Sequence, residues 1–415
     1  MADPVLQALR TRCIVCESGE PEEFLDLGET ALANGFLRRE ELSRPQPKYP
    51  LRAGFCRACG HVQLMDRVPP AEMFADYLYL SSASETLKDH LWGLSDWVTR
   101  RASLSAEDLV IDIGCNDGTL LKGFRRYGVK VLGVDPAKNL ADYAKNSGIP
   151  RFVGFFNSQT APQIVRKWGK ARIITATNTF PHIPDLADFL EGIQTALAPE
   201  GQFVIEAHYL ADMLEQRAFD TIYHEHVSYW ALGPMTRLFE AHGMQVVYAQ
   251  RLPIHHGQLR VVVQRKGEGK ADPSVGKILE RERQRRIGEF ETYRLFAEKV
   301  QEIKRELKTT LLSLQRQGKK VVGYGAPAKG NTLLGFLEIG PDLLEYIVDK
   351  SPLKQGRFTP GHHIPVVPTE RLLKDQPDVV LLLAWNFTDE ILAQQQEYRR
   401  RGGKFILPIP EVRIV

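Results

Sequence analysis

The chain has 415 residues, more than one hydrophobic core usually organises, and a prior of about 150 residues per domain predicts two or three domains. With 43% hydrophobic and 25% charged residues, the composition is typical of a soluble globular protein, and no run of about 18 uncharged apolar residues is available for a membrane span. The 54 basic and 51 acidic residues leave a net charge of only +3, which argues against a large nucleic-acid-binding surface.

Two CxxC pairs mark the beginning of the chain. Cys13 with Cys16 and Cys56 with Cys59 can supply the four thiolates of a closed tetrahedral zinc site. A closed site has no open coordination position, so zinc would brace the fold and leave the chemistry to other residues. The N-terminal stretch lacks the apolar core of a signal peptide, which predicts a cytoplasmic protein with reduced thiols. A disulfide pair and unrelated buried thiols remain as alternatives. We assign residues 1–75 to this zinc-binding module.

Residues 76–266 alternate between strand and helix patterns, which predicts a doubly wound parallel sheet. An amphipathic helix over Glu85–Ala102 leads into this domain, because its leucine and valine positions recur at steps of three and four. Two later strands, Gln245–Arg251 and Gln258–Gln264, could pair antiparallel. The other predicted strands are Leu109–Ile113, Lys130–Val134, Arg172–Thr177 and Gln202–Ala207, and the other helices are Thr119–Tyr127, Asn139–Ser147, Leu186–Ala198 and Thr236–His242.

The segment IDIGCNDG, at residues 111–118, lies where the first of these strands turns into a helix. Its two glycines let the backbone approach a ligand closely and point the helix N-terminus at it. An acid at the end of the second strand could accept hydrogen bonds from ribose hydroxyls. An asparagine replaces the middle glycine of GxGxxG, which disfavours a dinucleotide and favours S-adenosylmethionine; the alternative is a tight turn without a ligand. The cofactor-binding candidates are Asp112, Gly114, Asn116, Gly118, Asp135 and Asn178.

The run YHEH gathers Tyr223, His224, Glu225 and His226 within four positions. On an extended segment, Tyr223 and Glu225 would face one way and the two histidines the other. Histidine works as a base near neutral pH and a glutamate can orient it, so the cluster predicts general base catalysis. An HxH metal site and a structural histidine are the alternatives.

Several isolated residues are weaker candidates. His182 follows the strand Arg172–Thr177, at the edge of the sheet where doubly wound folds bind ligands, although a lone histidine is often structural. Tyr77 and Tyr79 carry hydroxyls between the zinc module and the sheet, and both could be packing residues. His255 and His256 precede Gly257 and could face the same cleft or simply form a hairpin turn.

Residues 267–415 are predicted to hold a long linking helix, over 267–318, and a second Rossmann-like α/β unit. Two such units suggest duplication, although no repeat can be aligned. The predicted strands are Lys320–Tyr324, Tyr346–Val348, Val379–Ala384 and Lys404–Leu407, and the helices are one ending at Phe336 and another at Thr388–Arg401.

The turn GYGAPAKGNT, at residues 323–332, is a second candidate anion cradle. Gly323, Gly325 and Gly330 precede or open a helix, and Lys329 could bind a phosphate. The order Gly-Lys-Ser/Thr of a P-loop is missing, so an ATPase site is excluded. Asp349 is placed like a ribose acceptor. Contact with a nucleotide sugar and a purely structural turn both remain open.

In their order along the chain, the two cysteine pairs, IDIGCNDGTLL, YHEHVSYW, GYGAPAKGNTLL and the closing LPIPE resemble the sugar C-methyltransferase family over nearly the whole sequence. The resemblance implies an N-terminal zinc-binding domain, a central S-adenosylmethionine domain and a C-terminal Rossmann-like domain. It also implies a substrate, a nucleotide-linked 4-keto-6-deoxy sugar methylated at C3. The near-neutral charge and the lack of a long apolar run predict no binding to nucleic acid or membrane, and we expect a monomer or weak oligomer.

The resemblance implies roles for single residues as well. His226 is the expected base that removes the C3 proton, with Tyr223 and Glu225 around it, and His182 and Tyr77 or Tyr79 near the sugar. The substrate-binding candidates are His224, His256, Lys329 and Asn331. The chain departs from the family's usual histidine-glycine-glycine-serine run, because Gln258 follows His256 and Gly257.

Three other functions compete with this interpretation. An O- or N-methyltransferase acting on a small metabolite would share the cofactor site but need a base matched to a hydroxyl or amine. A zinc-ribbon nucleic-acid binder is disfavoured by the near-neutral charge, and a silent scaffold by the YHEH cluster.

Overall fold

The first part of the chain folds around a small antiparallel sheet that the sequence analysis did not predict. The computed structural model describes residues 12–74, 80–140, 148–254 and 257–415. Strands β1 (Glu22–Thr30), β2 (Tyr49–Phe55) and β3 (Val62–Leu64) pair in that order, followed by the short helix α1 (Pro70–Phe74). A fourth strand, Ser228–Tyr229, comes from the middle of the chain and pairs with β3. The YHEH segment is therefore tied by backbone pairing to the zinc-binding module.

The central domain is a seven-stranded sheet in the order β6-β5-β4-β7-β8-β11-β10, in which β11 runs antiparallel to both of its neighbours. The doubly wound prediction and the β10–β11 pairing are confirmed. The strands are β4 (Leu109–Ile113), β5 (Lys130–Asp135), β6 (Arg151–Val153), β7 (Ala171–Thr177), β8 (Leu197–His208), β9 (Ser228–Tyr229, in the N-terminal sheet), β10 (Met244–Leu252) and β11 (Gln258–Arg265). The helices are α2 (Glu85–Ala102), α3 (Thr119–Arg125), α4 (Ala161–Trp168), α5 (Leu186–Ala196), α6 (Leu210–Glu215) and α7 (Leu232–Ala241).

The predicted long helix over 267–318 is wrong in one respect, because the structure divides it into α8 (Pro273–Gln284) and α9 (Phe290–Arg316). The break contains Arg286, whose φ is 56°, and Gly288, neither of which favours an uninterrupted helix. The apolar stripe of α9 is buried as predicted, since Tyr293, Val300 and Leu307 have almost no exposed surface.

The C-terminal domain is a six-stranded sheet in the order β14-β13-β12-β15-β16-β17, parallel except for its last strand. This confirms a second Rossmann-like unit. The predicted helix Thr388–Arg401 is two short helices. The elements are β12 (Val321–Tyr324), α10 (Ala328–Leu337), β13 (Ile347–Val348), β14 (Val366–Val367), α11 (Glu370–Asp375), β15 (Val379–Leu382), α12 (Thr388–Gln394), α13 (Gln396–Arg400), β16 (Lys404–Leu407) and β17 (Arg413–Ile414).

One apolar core joins the three parts, because the same cluster of buried side chains includes Phe55 of β2, Ile111 of β4, Tyr293 of α9 and Val322 of β12. The domains are thus packed against each other, and the ends of their strands can meet at one cavity. In the described part of the chain, no helix is both long and apolar enough to span a bilayer. Tyr77, Tyr79, His255, His256 and most of the predicted helix Asn139–Ser147 lie outside the described residues.

Candidate active site and zinc site

The four cysteine sulfurs of the two CxxC pairs lie within 4.8 Å of one another. Cys13 Sγ is 3.5 Å from Cys59 Sγ, and Cys16 Sγ is 3.7 Å from Cys56 Sγ. Four thiolates around zinc at about 2.3 Å have sulfur separations of about 3.8 Å, so this donor set fits a structural zinc ion. Gly19 leaves the space, since a Cβ there would lie 2.5 Å from Cys56 Sγ. None of these cysteines lines the cavity described below, as expected for a bracing site.

A cavity of about 1030 Å³ opens where the three parts of the chain meet. It is lined by Asn34 of the zinc-binding module, by the ends of β4, β5, β7 and β8, and by the turns that follow β12 and β15 of the C-terminal domain. A cavity of this size can hold two ligands of nucleotide size.

The turn after β4 is built to bring backbone close to a ligand. Gly114 has a φ of 73° and donates its N–H to the Val134 carbonyl at 2.7 Å. A Cβ at Gly114 would lie 2.1 Å from Thr179 Oγ1, so only glycine fits. Gly118, with a φ of 79°, precedes α3 but does not line the cavity.

Two buried carboxylates, Asp112 and Asp135, lie beside this turn and line the cavity. Burial raises the pKa of Asp112 to about 7, against the hydrogen bond that Thr175 Oγ1 donates at 2.6 Å. Burial also raises the pKa of Asp135, and Arg151, 2.9 Å away, opposes the shift. Asp135 Oδ2 accepts the Asn116 N–H at 2.9 Å and still has room for a second donor such as a ribose hydroxyl. The residues present therefore fit S-adenosylmethionine, a ligand with cationic groups.

The side chain of Asn116 organises the roof of this pocket. Its Oδ1 accepts the Ser81 N–H at 3.0 Å, and Asp117 Oδ2 accepts the Ser82 N–H at 2.9 Å. Ser81 lines the cavity. The asparagine that breaks the glycine pattern is thus used to hold a separate segment over the turn.

Asn178 follows β7, lines the cavity and has a left-handed φ of 56°. Its Oδ1 accepts a hydrogen bond from Gln258 Nε2 at 2.7 Å. Gln258, the residue that departs from the family's usual run, therefore faces the cofactor side through Asn178.

His226 is a buried histidine with a defined orientation. Its Nδ1 lies 2.8 Å from the Thr221 carbonyl, so Nδ1 carries the proton and Nε2 presents a lone pair. The Tyr223 hydroxyl lies 2.8 Å from that Nε2. Burial lowers the pKa of His226 to about 4, so the ring is neutral at physiological pH. Both His226 and Tyr223 line the cavity.

Two further histidines surround His226. The rings of His182 and His208 lie 5.1 and 5.2 Å from it, and His182 also stacks on Phe74 at 5.3 Å. Both line the cavity. Within the described residues, His182 Nε2 has no hydrogen-bond partner, which leaves it available to a ligand. Burial holds the pKa of His182 well below its usual value.

The structure does not bring every predicted residue to the cavity. Glu225 accepts a hydrogen bond from Asn34 Nδ2 at 2.6 Å and ties the YHEH segment to the zinc-binding module. His224 points the same way, with Nε2 3.1 Å from the Pro50 carbonyl. Asn331 donates to the Ala33 carbonyl at 2.7 Å. These three side chains hold domains together and do not line the cavity.

The C-terminal wall of the cavity carries lysines. Lys329, in the first turn of α10, lies 4.3 Å from the centroid of the Trp385 ring. Burial lowers the pKa of Lys329 to about 8, and Asp220 acts in the opposite direction, so the ammonium is charged at neutral pH. Lys354 is buried and donates to the Ala326 carbonyl at 2.7 Å. Lys350 is the third lysine on this wall.

Sequence reasoning missed Asn34, His208, Asp220, Lys354 and Trp385. One of them had a readable signal, since His208 ends β8 as His182 follows β7, and the carboxyl ends of parallel strands share one edge of a sheet. The others come from segments with no pattern, and only the packing of three domains brings them together.

Family models match three consecutive parts of the chain: a zinc binding domain at residues 13–74, a methyltransferase domain at 89–249 and a C-methyltransferase C-terminal domain at 253–410. C-methyltransferase NovU from Streptomyces niveus is 35% identical over 97% of this chain and 96% of its own length. A ubiquinone biosynthesis O-methyltransferase from Aeromonas salmonicida (strain A449) is 24% identical over 36% of this chain and 68% of its own.

Among solved structures, magnesium protoporphyrin IX methyltransferase (ChlM) from Synechocystis PCC 6803 with bound SAH is 11% identical and covers 43% of this chain and 83% of that one. The TM-score of this match is 0.35. The three family models follow the order of the three parts of the structure.

Proposed function

This chain belongs to the C-methyltransferase family and depends on S-adenosylmethionine, and from that premise we propose that it methylates C3 of a nucleotide-linked 4-keto-6-deoxy sugar through an enolate. The observation that carries the proposal is the division of charge in the cavity. Among the described residues that line it, the methyltransferase domain contributes four aspartates and no lysine or arginine, whereas the C-terminal domain contributes three lysines and one aspartate, Asp349. The four aspartates of the methyltransferase domain are Asp112, Asp135, Asp185 and Asp188.

Each wall suits one ligand by its charge. The acidic wall attracts the sulfonium and amino groups of S-adenosylmethionine, which supplies the methyl group when bound. The lysines of the C-terminal wall attract the diphosphate of a nucleotide sugar. The histidines and Tyr223 lie on the methyltransferase side of the same cavity and have access to a sugar held by its diphosphate.

His226 is the proposed base. A proton on the carbon next to a ketone is acidic enough to remove when the developing enolate oxygen receives hydrogen bonds. Because Nδ1 is committed to the Thr221 carbonyl, the lone pair of Nε2 takes the C3 proton. Burial keeps the ring neutral, so Nε2 is unprotonated over the whole physiological pH range.

Tyr223 is the proposed donor to the enolate oxygen. Its hydroxyl lies on His226 Nε2 in this structure, and rotation toward the substrate would free the lone pair and direct the O–H at the ketone. His182, whose Nε2 is unpartnered among the described residues, is a second candidate donor. The zinc ion is expected to take no part in the chemistry, because none of its four cysteines lines the cavity.

The test follows the C3 proton. The protein is incubated in deuterated water with a panel of nucleotide-linked 4-keto-6-deoxy sugars, and mass and the C3 proton signal are recorded. We expect deuterium at C3 without S-adenosylmethionine and a gain of one methyl group with it. His226→Asn should lower exchange by about 10²-fold or more.

His242→Gln is the matched control, because His242 Nδ1 also lies 2.8 Å from a backbone carbonyl, that of Leu238, and His242 does not line the cavity. Methyl transfer without exchange would favour an O- or N-methyltransferase, because only carbon methylation passes through an enolate. If folded, zinc-loaded protein performed no exchange and no methyl transfer, the sugar assignment would be wrong.

A further inference from the structure

A fully buried carboxylate, Asp220, precedes the candidate base by six residues in the chain and is not used by the mechanism above. It belongs to the one-turn 3-10 helix Phe219–Thr221, just before the YHEH segment. Burying a carboxylate away from water is costly unless it is paired and hydrogen-bonded. An asparagine at this position could accept the same hydrogen bond at a lower desolvation cost, so the buried negative charge of Asp220 needs an explanation.

The side-chain partners of Asp220 come from the C-terminal domain. Trp385 donates its indole N–H to Asp220 Oδ2 at 2.6 Å. Burial raises the pKa of Asp220 to about 6, and the Lys329 ammonium, which lies over the Trp385 ring, opposes that shift. The carboxylate is therefore ionised at neutral pH and faces a cation from the opposite domain. The neighbouring Phe219 packs its ring 5.4 Å from Phe336 of α10.

The other neighbour of Asp220 in this turn is Thr221, whose carbonyl accepts the Nδ1 proton of His226. The turn thus has two connections, one to the C-terminal domain through Asp220 and one to the base through Thr221. If the carbonyl moved, His226 would lose the contact that fixes its tautomer, and an Nε2–H ring offers no lone pair to the cavity.

We propose that Asp220 is a positioning residue, which locks the turn carrying the Thr221 carbonyl onto the C-terminal domain and so fixes the ring nitrogen that His226 offers to the substrate. The inference rests on the proposed function and deepens it. The domain that carries the lysines then also sets the geometry of the base. Asp220 itself does not line the cavity, so it acts through Thr221.

The test compares Asp220→Asn with wild-type protein by two measurements. The first is the tautomer of His226, from ¹⁵N shifts of histidine-labelled protein assigned with His226→Asn; it needs no substrate. We expect Nδ1–H in the wild type and a mixture of tautomers in Asp220→Asn. The second is C3-proton exchange, where we expect a fall of about tenfold at saturating ketosugar with KM within about threefold.

Asp66→Asn is the matched control, because Asp66 is also a buried carboxylate, held by Arg52 at 2.7 and 2.8 Å in the zinc-binding module. It should leave tautomer and exchange unchanged. Trp385→Phe is a second variant, which keeps an aromatic ring beneath Lys329 and removes the indole N–H together with part of the ring, and it should slow exchange about threefold.

An unchanged His226 tautomer in folded Asp220→Asn would overturn the inference, as would exchange within twofold of wild type, or an equal loss in Asp66→Asn. A wild-type protein that performs neither exchange nor methyl transfer would instead contradict the proposed function, while the tautomer comparison would still decide the role of Asp220.

Discussion

The methyltransferase domain and the C-terminal domain close their first strand-to-helix turn with the same contacts. Gly114 donates to the Val134 carbonyl at 2.7 Å with a φ of 73°, and Gly325 donates to the Val348 carbonyl at 2.8 Å with a φ of 82°. Each glycine also lies against a residue that follows the neighbouring parallel strand. This residue is Thr179 after β7 in the methyltransferase domain and Ala384 after β15 in the C-terminal domain.

The correspondence extends to the acid after the second strand. Asp135 accepts the N–H of Asn116 from the turn at 2.9 Å and that of Ala137 two residues on, also at 2.9 Å. Asp349 accepts the N–H of Ala326 from its turn at 2.6 Å and that of Ser351 two residues on at 2.7 Å. An acid in this position therefore locks the turn in both domains, and its presence alone does not identify a ribose site.

The two turns differ in what surrounds the lock. In the methyltransferase domain Asn116 and Asp117 hold the Ser81–Ser82 segment, and the cavity wall is acidic. In the C-terminal domain Lys329 and Lys354 make the wall basic. The shared contacts therefore belong to the fold, and we propose that the charges around them select the ligand of each domain.

The largest effect is expected from substituting the glycine of the shared turn. Gly325→Ala would place a Cβ 2.5 Å from Ala384 Cβ and 3.3 Å from its backbone N, which cannot rotate away. We expect the free energy of unfolding to fall by about 3 kcal/mol, from the collision and the positive φ. Gly114→Ala would place a Cβ 2.1 Å from Thr179 Oγ1, 2.9 Å from its Cγ2 and 3.0 Å from its Cβ, so rotation of the threonine does not clear the space, and the loss should be of similar size, about 3 kcal/mol. Thermal unfolding measures both.

Gly28→Ala is the control for the glycine pair, because Gly28 has a φ of 78° with open space where the Cβ would stand. It should cost about 1 kcal/mol, the conformational part alone. Adding Ala384→Gly to Gly325→Ala should recover most of the stability that Gly325→Ala loses beyond the loss in Gly28→Ala. A Gly325→Ala protein as stable as Gly28→Ala would show that the close approach does not matter.

The local pattern of the fold was predictable from sequence because periodicity reports burial directly. Helix Glu85–Ala102 and strand Leu109–Ile113 were predicted with the observed bounds. Their apolar residues recur at the spacing of a helix or strand and pack into the core of their own domain. The strands of the zinc-binding module were not predicted, because Glu22–Thr30 alternates only weakly and depends on the cysteine cluster and β2.

The candidate site was predictable only where one segment carries it. His226 and Tyr223 lie three residues apart and contact each other, so a single motif was enough. Glu225, one position away, accepts a hydrogen bond from Asn34, and the sequence around Glu225 gives no sign of this distant partner. Asp220 and Trp385 are separated by most of the C-terminal half, so only the domain packing joins them.

A smaller effect sharpens the difference in charge between the walls. Asp135→Asn should weaken binding of S-adenosylhomocysteine about 30-fold, near 2 kcal/mol for a hydrogen bond to a charged group, and leave a nucleoside diphosphate within about twofold. Lys329→Met should do the reverse. Isothermal titration calorimetry with each ligand measures both variants.

Asp349→Asn is the counterpart of Asp135→Asn, because it weakens the same lock in the other domain. It should leave S-adenosylhomocysteine binding unchanged. If Asp135→Asn and Lys329→Met each weakened both ligands alike, the division of the cavity into two walls would be wrong.

The smallest expected effect is a pair of opposite pH dependences. Burial raises the pKa of Asp112 to about 7, so S-adenosylhomocysteine affinity should fall by up to about tenfold per unit as pH drops below 7 and the carboxyl gains a proton. Burial lowers the pKa of Lys329 to about 8, so nucleoside diphosphate affinity should fall as pH rises above 8 and the ammonium loses its proton.

The free energy of unfolding gives an independent check on Asp112, because its change with pH is opposite in sign to the change in cofactor affinity. Between about pH 4 and pH 7 the folded protein keeps a proton on Asp112 that the unfolded chain releases, so this residue's contribution to stability falls as pH rises through that window. Cofactor affinity rises over the same window. Asp112→Asn should flatten both curves while leaving the alkaline loss of nucleotide binding in place, and a variant that kept the acidic loss of affinity would assign it to another group on the acidic wall.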